Sequence, residues 1–254
     1  MSGSRAGAGE DRRLQEAHDP RQGRGVVREA HEVRRGQDVS AAQEAGEGRD
    51  DLEVVDASEE WKVLSSTEHF RARVITGVTD AVVMPDGEVV KRDYVLHPGS
   101  VAVVALDDRE RVLLIRQYRH PARRLLWELP AGLRDVEGES LRGGAARELA
   151  EEAGYRADTW HTLIDTFISP GMSDERTRIF LARDVSPIPE GELDFVHRHE
   201  EIDMPVVWIP LSDAVRRAMA GMIHNSQAVA GILAAYAASA DGFASLRPAD
   251  APEA

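Results

Sequence analysis

Residues 147–154 read RELAEEAG, which puts Glu148, Glu151 and Glu152 at i, i+3 and i+4 of one predicted helix. Side chains at that spacing share a face, and each like-charge pair there costs roughly 0.2–0.5 kcal/mol. Three carboxylates on one face need a compensating positive charge. A divalent cation supplies it most simply, because hard oxygen ligands suit Mg²⁺, which keeps several of its waters. Arginines on the same helix, Arg142 and Arg147, are the alternative, and they would make the cluster an ordinary solvated acidic face.

Working outward, Ser140 is a suitable N-cap for this helix and Gly154 a suitable C-terminal stop. Leu149, Ala145, Ala146 and Ala153 form its apolar stripe, with the glutamates on the other side. Upstream, FRARVITGV, AVVM and EVVKRDYVL, with the turn PDG at 85–87, read as a small antiparallel sheet. VAVVAL (101–106) and VLLIRQY (112–118) around the loop DDRE suggest a hairpin, and LLWEL (125–129) a further strand. Downstream, TRIFLA (177–182) and MPVVWI (204–209) are strand-like. Ser212 is expected to cap one closing helix, and Asn225 or Ser226 a second. Strands and helices mix without regular βαβ alternation, so the expected class is α+β, a mixed sheet sandwiched between helices with an N-terminal antiparallel sheet appended.

Composition sets the limits. The chain has 254 residues, a formal net charge of −14 and no cysteine, so disulfides, thiolate zinc sites and a cysteine nucleophile are ruled out. The absence of cysteine makes cytoplasm the default location. The longest nearly apolar stretch, 228–240, is well short of the ~20 residues a membrane span requires. An acidic chain repels nucleic acid backbones, so neither a nucleic acid partner nor a membrane partner is expected. The first 60 residues hold no aromatic side chain and show no apolar period. That composition predicts a disordered leader over 1–57. The remaining partition is an N-terminal antiparallel sheet over 58–97, a main domain over 98–243 and a flexible tail over 244–254.

From Gly132, the stretch GLRDVEGESLRGGAARELAEEAGY resembles the Nudix signature: a glycine, a loop, Glu139, seven residues, then R-E-aliphatic-x-E-E-x-Gly-aliphatic. With about ten constrained positions the match is specific. Two departures stand out, an extra residue between Gly132 and Glu139 and Tyr155 in place of an aliphatic residue. The resemblance implies a Nudix hydrolase domain over 98–243. It makes Glu148, Glu152 and the backbone carbonyl of Ala131 the metal ligands, with Glu151 assisting catalysis. Gly132, Glu139, Arg147 and Gly154 would brace the signature. The implied cofactor is Mg²⁺, for which Mn²⁺ may substitute.

Further residues resemble the ADP-ribose pyrophosphatase branch: Pro170 in ISPGMSDE, RQYRHP at 116–121 and WELPAG at 127–132. The implied reaction is hydrolysis of ADP-ribose to AMP and ribose 5-phosphate. Another nucleoside diphosphate derivative (ADP-glucose or a similar nucleotide sugar, or NADH) and a non-catalytic ADP-ribose-binding regulator are the alternatives. In that branch the water-activating base comes from a loop beyond the helix, where HRHEEIDM offers Glu201 first and Glu200 second. Arg119 is the candidate for gripping the diphosphate, Glu128 for a position near substrate or metal, and Arg92, with Trp61 less central, for reaching the adenine. Relatives whose N-terminal sheet crosses to a partner imply a homodimer.

Overall fold

The structure is a computed structural model that describes residues 54–189, 191–192 and 204–253. The chain divides into two units, Met1–Ser58 and Glu59–Ala254. Of the first, residues 54–58 are described and form no helix or strand. The predicted leader otherwise falls outside the described residues.

Within Glu59–Ala254, β1 (Val63–Arg71), β2 (Thr76–Val83) and β3 (Val89–Leu96) form an antiparallel sheet in that order; the sheet is the expected one, but FRARVITGV spans the β1–β2 connection, AVVM belongs largely to the end of β2, and β1 begins upstream at Val63. The turn at 85–87 joins β2 to β3, where the Gly87 amide donates to the Met84 carbonyl. A five-stranded sheet follows, ordered β11 (Arg247–Pro248), β8 (Tyr155–Phe167), β9 (Arg176–Pro187), β4 (Ser100–Ala105) and β7 (Ala131–Leu133). Its β4–β9 pair is parallel and its other pairs are antiparallel. A third sheet orders β10 (Val206–Pro210), β5 (Arg111–Arg119) and β6 (Arg124–Glu128).

β4 and β5 are therefore not the hairpin the sequence suggests. The loop between them closes tightly, with the Asp107 carboxylate accepting from the amides of Arg109 and Arg111. Beyond the bridge Leu106↔Val112 the strands part into different sheets. β4 pairs with β9 and β7 instead, and each of its faces enters a different apolar layer. Ala102 and Val104 join a core that includes Leu129, Ile179 and Ile232, while Val101, Val103 and Ala105 join Ala145, Leu149 and Phe180. A strand buried on both faces reads as a continuous apolar run, which cannot indicate its neighbours.

The helices α1 (Leu141–Ala153), α2 (Leu211–Met219) and α3 (Ser226–Ser239) cover the two layers. α1 supplies Ala145 and Leu149 to one core, and α3 supplies Ala228, Ile232 and Ala235 to the other. Asn225 caps α3 by accepting from the Ala228 amide at 2.9 Å. Ser212 caps nothing: α2 starts one residue earlier behind Pro210, and its first amide, that of Leu211, donates to the Glu110 carbonyl. Residues 244–253, expected to form a flexible tail, contain β11, which pairs with β8 at Thr162 and His161.

Candidate active site

The acidic helix starts and stops where its capping residues predict. Ser140 Oγ accepts from the Gly143 amide at 3.0 Å, and Gly154 ends the helix with a left-handed φ of 71°. Leu149 is fully buried in the core, which turns Glu148 and Glu152 toward β7. Glu152 is 8% exposed, and its Oε2 accepts from the Ala131 amide at 2.8 Å. Glu148 lies against Gly132 so closely that a Cβ there would overlap its carboxylate. Both predicted ligand carboxylates thus meet at Ala131–Gly132, the strand that also carries the predicted ligand carbonyl.

Glu151 points elsewhere. Arg147 Nη1 donates to Glu148 Oε1 at 2.6 Å and to Glu151 Oε2 at 3.0 Å. The same guanidinium donates from Nε and Nη2 to the two oxygens of Glu139, both at 3.1 Å. The brace between Glu139 and Arg147 has the expected contacts. Arg147 also does what the sequence reading gave to the metal, by neutralising part of the glutamate cluster. Its carboxylate partners, Glu139 foremost, hold its guanidinium well above its ordinary range. Burial pushes the Glu148 carboxyl up, against the opposing pull of Arg147. One arginine shared among three carboxylates leaves Glu148 short of positive charge.

The residues present fit a divalent ion. Among the described residues no three Asp, Glu or His side chains form a cage for a metal by themselves. Two carboxylates and a backbone carbonyl are instead a partial ligand set, which suits Mg²⁺ because it retains waters and takes further oxygens from a phosphate. The convergence of the mostly buried Glu148 and Glu152 on Ala131–Gly132 is the observation that favours a cation there.

The second predicted group is ordered by β5 and β6. Glu128 is 1% exposed and takes a forked bond from Arg119, Nε to Oε1 at 3.0 Å and Nη2 to Oε2 at 2.7 Å. Register pairs Ile115 with Glu128, so Glu128, Ile115 and Gln117 share the sheet face toward α1. The Gln117 Oε1 atom is buried there with no hydrogen-bond partner, a feature the sequence reading overlooked. Only a register assignment between β5 and β6 could have found it.

Arg92 lies apart from both groups, on β3, with Met84 Sδ 3.8 Å from its Nη2. Trp61 is exposed and donates to Glu59. Pro170 lies in a loop that docks on β3, where the Val95 amide donates to the Met172 carbonyl at 2.9 Å and the His97 amide to Asp174 Oδ1 at 2.8 Å. Glu200 and Glu201 lie outside the described residues. Both signature departures are accommodated. Six residues fit between Gly132 and Glu139 by a turn in which the Glu139 amide donates to the Val136 carbonyl. Tyr155 accepts from Trp208 Nε1 at 3.1 Å and meets its ring edge-on.

The fold and this glutamate-bearing helix define a hydrolase of one class. The profile of the NUDIX domain matches residues 96–228, and the chain belongs to that family. Hydrolases of this family generally need divalent metal ions. The chain is 43% identical over 194 residues to the ADP-ribose pyrophosphatase of Mycobacterium tuberculosis (strain ATCC 25618 / H37Rv), spanning 76% of this chain and 91% of that one. It is 33% identical to the ADP-ribose pyrophosphatase of Bacillus subtilis (strain 168), over 66% of this chain and 88% of that one. A crystal structure of an ADP compounds hydrolase superposes with a TM-score of 0.60 at 22% identity, covering 74% of this chain and 99% of the other, and supports the fold.

Proposed function

We propose that this chain hydrolyses the pyrophosphate bond of ADP-ribose, releasing AMP and ribose 5-phosphate. The observation that carries the reading is the convergence of Glu148 and Glu152 on Ala131–Gly132. Similarity to two ADP-ribose pyrophosphatases supports the choice of substrate. Glu148, Glu152 and the Ala131 carbonyl would hold Mg²⁺ or Mn²⁺. Bound there, such an ion polarises phosphate oxygens and lowers the pKa of a coordinated water.

The chain's own residues do the rest. Arg147, anchored by Glu139, keeps Glu148 and Glu151 in place. Arg119, oriented by its fork to Glu128, is the residue proposed to grip the diphosphate, since a planar guanidinium suits phosphate oxygens. Water attacks one phosphorus, the bridging P–O bond breaks, and the departing phosphate keeps the bridging oxygen. Glu201 takes the proton of that water, with Glu200 the alternative.

The enzyme is proposed to act as a cytoplasmic homodimer. Support for the dimer comes from β1, where all nine residues are exposed, including Val63, Leu64 and Phe70. Arg92 on β3 of the same sheet would then serve the partner's adenine site.

The test is product analysis of purified protein with Mg²⁺ and, in parallel, ADP-ribose, ADP-glucose and NADH. AMP and ribose 5-phosphate from ADP-ribose, at the highest kcat/KM of the three, are expected. A higher kcat/KM on ADP-glucose or NADH would transfer the assignment to that compound. Glu201→Gln should lower kcat far more than KM, the pattern of a group acting in the transition state. If only Glu200→Gln does so, the base is Glu200.

A further inference from the structure

The last described residues of the chain form a strap with a set of polar anchors. Thr162, fully buried on β8, donates to the Pro248 carbonyl at 3.0 Å. Arg178, 2% exposed near the start of β9, donates to the carbonyls of Ala251 at 2.5 Å and Pro252 at 3.0 Å. Its other contacts are to Asp165, which also receives Arg247 from the strap at 3.0 Å. A buried guanidinium is tolerated when its donors are satisfied, and here two of the acceptors are strap carbonyls. The strap is therefore part of how Arg178 is buried at all.

Beyond Arg178 the strap reaches the signature. Glu253 receives a forked pair from Arg134, Nη1 to Oε1 at 2.8 Å and Nη2 to Oε2 at 2.9 Å. Arg134 directly follows β7, and its amide donates to the Gly99 carbonyl at 3.1 Å. A Cβ at Gly99 would lie 3.1 Å from Arg134 Cδ, so glycine there leaves room for the side chain that Glu253 holds. β7 is the strand on which Glu148 and Glu152 converge. An open cleft of about 560 Å³ lies between the strap and Ser140, Leu141 and Arg142 at the start of α1, while Ala249 packs on the core that Ala145 and Leu149 join. The route runs through Arg134.

We infer that the C-terminal strap is a positioning element for the signature, with Glu253 fixing β7 through Arg134 so that its backbone meets the two glutamates. This rests on the reading of Glu148 and Glu152 as metal ligands. Glu253 touches no reacting atom and acts through Arg134 alone.

The test uses the full chain with Glu253→Gln, Arg134→Glu, the exchanged pair Arg134→Glu with Glu253→Arg, and Glu152→Gln as the metal control. Two quantities are read: hydrogen exchange of the 131–134 amides in metal-free protein, and Mn²⁺ affinity by electron paramagnetic resonance. Glu253→Gln should speed exchange at 131–134 and weaken Mn²⁺ binding about tenfold, the lower end for outer residues that orient metal ligands. The exchanged pair should recover both. Unchanged exchange at 131–134 in Glu253→Gln overturns the inference, whatever the metal data show. If Glu152→Gln binds Mn²⁺ like the wild type, the metal reading fails instead, and exchange alone decides the role of the strap.

Discussion

Glu148 is caught between two demands. Its carboxylate is mostly buried beside Gly132, which favours the neutral form, and Arg147 at 2.6 Å favours the ionised one. That balance makes Gly132 informative. Gly132→Ala would drive the Glu148 side chain away from β7, and because the displaced atoms end a flexible side chain, the fold should tolerate it. We expect a thermal midpoint close to the wild type with metal-dependent turnover down by at least about tenfold, in line with the loss when a metal site is misoriented. A variant with full activity at ordinary metal concentrations would show that Glu148 need not face β7. At this scale the sequence was highly legible. The i, i+3, i+4 spacing predicted which glutamates share a face, and the caps predicted where the helix begins and ends. Periodicity could not show that Glu151 turns to Arg147 while Glu152 turns to the Ala131 amide, because both lie on the same broad face.

Between elements, packing decides what propensity leaves open. α3 crosses the sheet at Gly231, where an added Cβ would lie 2.8 Å from Leu129 Cδ1 and 2.9 Å from Val104 Cγ2. Gly231→Ala should gain about 1 kcal/mol in helix propensity but lose about 1–3 kcal/mol to overpacking. The expected net result is a lower urea midpoint, and a raised midpoint would mean that α3 can lift from the sheet without cost. The strap predicts a pH dependence. Burial would raise the Asp165 carboxyl, but hydrogen bonds from Arg178 and Arg247 outweigh it and hold the group below its ordinary 3.8. A depressed folded value means that stability from Asp165 is complete above pH 3.8 and is lost as the pH falls through the lower folded value. Asp165→Asn should therefore be less stable than the wild type at neutral pH, with the gap narrowing in acid. A gap independent of pH would contradict the ion pair. None of this was visible beforehand. β8 carries His161, Thr162 and Asp165 among apolar residues, so its thirteen residues do not alternate cleanly. The tail is short and polar, and only the buried Arg178 gives it a place to dock.

For the whole molecule, the class of fold followed from mixed strands and helices without βαβ order, but the continuous apolar run of β4 left its pairing with β9 open. The strand run alone could not distinguish a hairpin from a shared apolar layer. The acidic charge of the chain makes sense if phosphate oxygens reach the protein through a divalent ion held by Glu148, Glu152 and the Ala131 backbone, while Arg119 and Arg147 set the surrounding field. The most direct measurement is anomalous diffraction from a crystal grown with Mn²⁺ and a non-hydrolysable ADP-ribose analogue. The account predicts an anomalous peak with oxygens of Glu148 and Glu152 at about 2.0–2.3 Å and a diphosphate oxygen on the same ion. A peak elsewhere, or none with the diphosphate bound and both carboxylates turned away from it, would contradict it.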